Sequence, residues 1–205
     1  MIMKNLCSSL WEKSNLLFET IRIENGVAHN LKYHNARLNY TRKHLFGTTD
    51  EIDIEKYLTD IPSSGLYRAK LIYDRNIQDI TYYIYKAKTI QTFKLLRADI
   101  NYRYKYLNRA HINTLIEKCR ESDEVIIIKD ELLTDTTIAN IALRQDGIWY
   151  TPAEPLLQGT TRARLLDEGK VITKNIKAAD IDNYDGLALM NAMIGFRIID
   201  RPKIR

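Results

Sequence analysis

Four short segments carry residue types that could do chemistry. Lys105 lies in Asn101-Tyr102-Arg103-Tyr104-Lys105-Tyr106-Leu107-Asn108-Arg109, flanked by bulky rings and followed by an arginine. Desolvation and a neighbouring cation both favour the neutral amine. A neutral amine attacks an aldehyde to form a Schiff base. Local sequence alone favours a solvated surface lysine, because most lysines are exposed. Asp135 and Asn140 lie in Leu132-Leu133-Thr134-Asp135-Thr136-Thr137-Ile138-Ala139-Asn140. A carboxylate there can hold the proton of a ring nitrogen, or the stretch is an ordinary Asp/Thr hairpin turn. Gly159-Thr160-Thr161-Arg162 precedes a helix. Free amides and hydroxyls at a helix start suit a phosphate, and a plain Thr N-cap explains them too. His34-Asn35-Ala36-Arg37-Leu38 puts an arginine on a helix, where a solvated side chain is the ordinary outcome.

These residues need elements to hold them. Leu16 to Ile23 ends in apolar/polar alternation and reads as a strand. Glu24-Asn25-Gly26 is a hairpin turn, with Val27 to Leu31 returning. Tyr33 to Leu45 has helix-tolerant residues and stops near Gly47; Ile52 to Leu58 is a second short helix. Leu66 to Tyr73 and Ile80 to Tyr85 are strands around Asp74-Arg75-Asn76, and Phe93 to Leu96 continues that sheet. Composition changes between Ala98 and Tyr106. A helix follows with Ile112, Leu115, Ile116 and Cys119 on one face. Glu124 to Lys129 reads as a buried strand, and Ala139 to Leu143 pairs with Ile148 to Tyr150 across Gln145-Asp146-Gly147. A helix runs from Gly159 through Leu166, and Leu187 to Ile199 is strand-like with a break at Gly195. The expected class is α+β.

Composition narrows the field. The chain has 205 residues and 45% apolar content, enough for one large core or two lobes. Net charge is +5, but Lys and Arg are scattered, so nucleic acid is not expected as a partner. No stretch has the length of a membrane span. The first residues lack the apolar run of a secretory signal. Cys7 and Cys119 make neither a metal-type spacing nor a disulfide framework. The expectations are a cytoplasmic protein and no metal.

Taken in order, the segments resemble the fold-type IV pyridoxal 5′-phosphate (PLP) enzymes, the class IV aminotransferases and aminodeoxychorismate lyases. Phe18-Glu19-Thr20-Ile21-Arg22 resembles the early strand, and His34-x-x-Arg37-Leu38 the helix whose arginine holds the cofactor phosphate. Lys105-x-Leu107-Asn108-Arg109 resembles the segment with the Schiff-base lysine. Thr134-Asp135 with Asn140 is similar to a Thr-Glu-x-x-x-x-Asn pattern, and Tyr150-Thr151-Pro152 with Gly159-x-Thr161-Arg162 to the next strand end and phosphate turn. Two departures stand out. Asp135 replaces a glutamate and is one methylene shorter, so the backbone must come closer or a water must bridge. The stretch before Phe18 is short and lacks the usual Asp-Arg-Gly-rich loop.

The resemblance implies a D-amino-acid aminotransferase-like fold of two lobes, residues 1–97 and 98–205, with PLP in the cleft and its lysine in the second lobe. It implies Lys105 as the catalytic residue, with Arg37, Lys105, Asp135, Asn140, Thr160 and Thr161 holding the cofactor. Thr20, Arg22, Arg109 and Asn191 are the implied substrate contacts. The implied substrate is a small anionic amine and the implied assembly a homodimer. Lys-x-Leu-Asn-Arg and Asn191-Ala192-Met193-Ile194-Gly195 are closer to the lyases, which convert 4-amino-4-deoxychorismate to 4-aminobenzoate and pyruvate in folate biosynthesis. The alternatives are an aminotransferase of branched-chain or D-amino acids and a non-catalytic relative.

Overall fold

The computed structural model describes residues 16–205, so the expectations placed on Cys7 and the first residues lie outside it. The chain divides into two compact units. Of the described residues, one unit holds 16–85 together with Tyr104–Arg109, and the other holds Lys86–Arg103 and Ala110–Arg205. The reading from sequence drew the boundary at Arg97 and gave Lys105 to the second lobe. The chain instead passes to the second unit at Lys86, and Tyr104–Arg109 returns to the first. The return has a physical basis in backbone pairing. Phe18 donates its N–H to the Lys105 carbonyl (3.0 Å), and Leu107 donates to the Leu16 carbonyl (2.8 Å).

The first unit is a four-stranded antiparallel sheet in the order β2-β1-β3-β4. Its strands are β1 (Leu17–Glu24), β2 (Val27–Ala28), β3 (Leu66–Tyr73) and β4 (Ile77–Ile84), with helix α1 (Leu31–Phe46) after β2. The Asn25-Gly26 turn forms as expected, both residues at positive φ (49° and 80°). The return strand is only two residues long, because α1 already starts at Leu31. Gly47, at φ 66°, ends α1 and donates its N–H to the Lys43 carbonyl. The second helix expected over 52–58 shrinks to one 3₁₀ turn, Ile54–Tyr57. Asn39 of α1 bonds both the N–H and the carbonyl of Ile52, and Asn35 accepts the Ile54 N–H. Those side chains satisfy the extended backbone that a longer helix would have consumed.

Side chains of β1 alternate between faces. Leu17, Ile21 and Ile23 pack with Leu38, Ala69, Leu71 and Tyr73 in the core of this unit. Phe18, Thr20 and Arg22 occupy the other face, opposite Ile72, Lys70 and Arg68 of β3.

The second unit is a nine-stranded mixed sheet. Strand β5 (Thr92–Arg97) belongs here and does not extend the first sheet: it pairs in parallel with β6 (Glu124–Lys129). Parallel pairing needs a long crossover, which residues 98–123 supply, including helix α2 (Ala110–Glu117). Strands β7 (Leu132–Thr136), β8 (Asn140–Gln145), β9 (Ile148–Pro152) and β10 (Ile172–Lys174) continue the sheet. Helix α3 (Thr160–Asp167) separates β9 from β10. Strands β11 (Gly186–Asn191) and β12 (Gly195–Ile199) form a hairpin on β8, where one broken strand was expected, and β13 (Lys203–Ile204) pairs with β5. Phe93, Ile126, Ile128, Leu133, Ile141, Leu143, Leu187 and Leu189 form the core. Among the described residues no helix is long and apolar enough to cross a membrane.

Candidate active site

In the first unit, Tyr106 stands opposite Leu17 in an antiparallel bridge. That register sets Lys105 opposite Phe18 and on the same sheet face. The Lys105 Nζ lies 4.5 Å from the centre of the Phe18 ring. Burial first, then the Arg37 and Arg109 charges, bring this amine down to about 7 against the opposing pull of Glu19. The lowered amine is present, with burial as its largest cause and Arg37 outweighing Arg109; the Phe18 ring, as a cation-π partner, favours the charged form.

A charge cluster forms around the fully buried Glu19 and His34, with Arg37 mostly buried. Glu19 projects into the apolar face of β1 and meets two side chains of α1. Arg37 donates Nε to Oε1 (2.8 Å) and Nη2 to Oε2 (2.5 Å), and His34 Nδ1 lies 2.6 Å from Oε2. Burial raises the Glu19 carboxyl, yet the Arg37 charge and the His34 contact overcome it and hold it at about 2. Burial lowers His34 more than Glu19 raises it, so the ring is neutral and its Nδ1–H donates to the carboxylate. His34 Nε2 is buried with no hydrogen-bond partner among the described residues.

Thr20 and Arg22 share the sheet face of Lys105 and Phe18. Arg22 is paired to Glu24, Nη2 to Oε1 at 2.8 Å. It also stands directly opposite Arg68 of β3, with Lys70 opposite Thr20. Like charges directly opposed across strands destabilise a sheet. Arg68 lies 5.2 Å from the Tyr83 ring, and its Nε is buried without a hydrogen-bond partner among the described residues. Arg68 and Lys70 were not singled out from sequence. Only the register shows that their face is that of Phe18 and Lys105.

In the second unit Asp135 sits inside β7, not in a turn, and is buried. Asn140 stands opposite it at the start of β8. Asn140 Nδ2 donates to Asp135 Oδ1 (2.7 Å) and to the Leu157 carbonyl (2.8 Å), and the Leu157 N–H donates to Asp135 Oδ2 (2.9 Å). Burial pushes the Asp135 carboxyl up to about 7 against the pull of Asn140, the Leu157 amide and the Arg162 charge. Gly159, Thr160 and Thr161 begin α3, with both threonines buried. A Cβ on Gly159 would come within 1.8 Å of Asn140 Oδ1, so glycine is required by close approach. Arg162 locks the helix start to β9 through the Thr151 hydroxyl and the Pro152 carbonyl. Asn191, expected at the substrate, spends its Oδ1 on the amides of Met193 and Ile194 and so builds the β11–β12 turn.

The sequence model of Amino-transferase class IV matches residues 71–201. The chain belongs to that family. It is 37% identical over 184 residues to an uncharacterized protein of Haemophilus influenzae, covering 87% of this chain and 98% of the relative. The structure is similar to a candidate 4-amino-4-deoxychorismate lyase of Haemophilus somnus, with TM-score 0.82 and 34% identity over 88% of this chain and 97% of that one. It shares its fold, at 16% identity and TM-score 0.77, with the PLP-bound form of a hypothetical aminotransferase of Mycobacterium tuberculosis (95% and 82% of the chains). Class IV aminotransferases and their lyase relatives are PLP-dependent enzymes of fold type IV, and the mixed two-sheet architecture is theirs. The residues present fit that cofactor. In the first unit the Lys105 amine, at about 7, suits an aldehyde and the Arg37 guanidinium a phosphate; in the second unit, taken by itself, the buried Asp135 carboxyl suits a pyridine nitrogen.

Proposed function

We propose that this family member is an aminodeoxychorismate lyase, converting 4-amino-4-deoxychorismate to 4-aminobenzoate and pyruvate. Lys105 would attach PLP, Arg37 with the Thr160/Thr161 turn would hold the phosphate, and Asp135, steadied by Asn140, would hold the ring-nitrogen proton. When bound, PLP supplies the carbonyl that captures a substrate amine and a ring that takes up electrons from the neighbouring carbon. With its amine at about 7, Lys105 can exist as base or acid at neutral pH and move the proton at substrate C4. Loss of that proton and cleavage of the bond to the enolpyruvyl oxygen leave an aromatic ring and pyruvate.

The observation that carries this reading is the row of cations on the Lys105 face: Arg22 opposed to Arg68, with Lys70 one pair along. Glu24 answers part of the Arg22 charge, and an anionic substrate would answer what Arg68 and Lys70 add; this substrate has two carboxylates. A branched-chain amino acid brings only one, with an apolar side chain. Thr20 is proposed to line the same face. Arg109 is proposed as a further substrate cation, and its charge also lowers the Lys105 amine. Asn191 is not included, because its amide oxygen accepts from two turn amides and its Nδ2 donates to the Ile138 carbonyl. Assembly as a homodimer in the cytoplasm completes the proposal.

The test is incubation of the PLP-loaded protein with 4-amino-4-deoxychorismate and no keto acid. Appearance of 4-aminobenzoate and pyruvate in equal amounts supports the lyase. Turnover only with an amino acid plus 2-oxoglutarate identifies an aminotransferase, and neither product a non-catalytic relative.

A further inference from the structure

The Glu19 cluster is poorly explained by stability. A carboxylate on the core face of a strand is costly to desolvate, and well-packed apolar side chains usually serve a fold as well or better. Glu19 lies between Leu17 and Ile21 on that face, all three fully buried. Both its oxygens are engaged from one side. His34 and Arg37, three residues apart, project from the same face of α1. The Arg37 contact uses two donors, Nε to Oε1 and Nη2 to Oε2, which fixes the guanidinium plane as a single contact cannot. The His34 Nδ1–H then holds Oε2, so the carboxylate itself cannot rotate.

We propose that Glu19 is a positioning residue that clamps the Arg37 guanidinium in the orientation in which it receives the cofactor phosphate, with His34 as its brace. This rests on the reading of Arg37 as a phosphate ligand. Two effects of Glu19 oppose each other. As a nearby anion it repels a phosphate, so its neutralisation alone would tighten binding. As a clamp it spares Arg37 the loss of side-chain freedom on binding, so its removal would loosen binding. The clamp wins in this account, because the anion's repulsion is already largely cancelled by its bidentate partner. The sign of the effect therefore decides the proposal.

The experiment titrates the chain without cofactor, using PLP and, separately, pyridoxal, which lacks the phosphate. Bound ligand is followed by its visible absorbance and by protein fluorescence. The ratio of the two dissociation constants is the phosphate preference. Glu19→Gln is expected to lower that preference about ten-fold, the scale of one well-oriented charge-assisted contact; its effect on the Lys105 amine acts on both aldehydes alike and cancels in the ratio. Arg37→Met is expected to lower it at least as far, and Glu19→Gln to add nothing in the Arg37→Met background. A preference that stays or rises in Glu19→Gln while Arg37→Met lowers it overturns the clamp and leaves Arg37 as the anchor. A preference untouched by Arg37→Met overturns the phosphate reading of Arg37 and the clamp with it. If Glu19→Gln does not fold, Glu19→Asp decides. Its shorter carboxylate keeps the charge but loses the two-point geometry. It is expected to lower the preference about three-fold, and an unchanged preference overturns the proposal.

Discussion

Replacing Gly159 by alanine tests how the Asp135 half of the site is built. Gly159 has φ −73°, a conformation alanine adopts freely. Restricting the unfolded chain would then stabilise the protein by about 0.4–1 kcal/mol. The new Cβ, however, would sit 1.8 Å from Asn140 Oδ1 and 3.0 Å from its Cγ. Asn140 must swing away, losing its bond to Asp135 and its bond to the Leu157 carbonyl. A hydrogen bond to a charged group contributes about 1.5–3 kcal/mol and a neutral one about 1 kcal/mol. The clash wins, and the net change is destabilising by roughly 2–3 kcal/mol. For a chain of this size that lowers Tm by about 5–10 °C. Thermal melts at pH 8, where Asp135 is mostly ionised, should show it. The mechanism has a sharper signature in the double variant. Once Asn140→Ala has removed the obstructed side chain, Gly159→Ala should cost less than about 0.5 kcal/mol or stabilise. Equal costs of Gly159→Ala in both backgrounds would refute the reasoning.

The depressed amine of Lys105 makes stability depend on pH. The unfolded chain binds its proton up to about 10.5 and the folded chain only up to about 7, so stability should rise with pH between those values, by at most ~1.4 kcal/mol per pH unit. Lys105→Met should remove that rise in denaturant midpoints of the cofactor-free chain. Glu19 raises the Lys105 amine, so Glu19→Gln should move the midpoint of Lys105 acylation by a small electrophile below about 7; an upward shift would contradict the assigned field. Arg68→Met should raise KM for a dianionic substrate about ten-fold or more with little change in kcat, as expected for a contact made before and during reaction, and an unchanged KM would remove Arg68 from the substrate face.

Much of the local structure was legible because it depends on near neighbours in the chain. Asn25-Gly26 demands two positive φ values, and Gly47 ends α1 for the same steric reason. The first strand followed from apolar alternation, and the next two from β-forming composition around the Asp74-Arg75-Asn76 turn. Less visible was everything set by pairing across long separations. Lys105 is brought against Phe18 because residues 104–107 pair with residues 16–18. No local feature of the lysine segment marks its partner. Phe93–Leu96 has strand composition in either sheet, and only its parallel pairing with β6 assigns it. Glu19 was read as part of a strand motif and given no role, since sequence cannot say which partners a buried carboxylate will meet. Asn191 looked like a substrate amide, yet Asn also builds turns, and here the turn claims it.

The central claim is that Lys105 is the residue that bears the cofactor. Loading the protein with PLP, reducing it with borohydride and mapping the labelled peptide by mass spectrometry addresses it directly. One pyridoxyl group on Lys105, absent from Lys105→Ala, is the predicted result. A label on another lysine, or an equally reducible cofactor in Lys105→Ala, would contradict it.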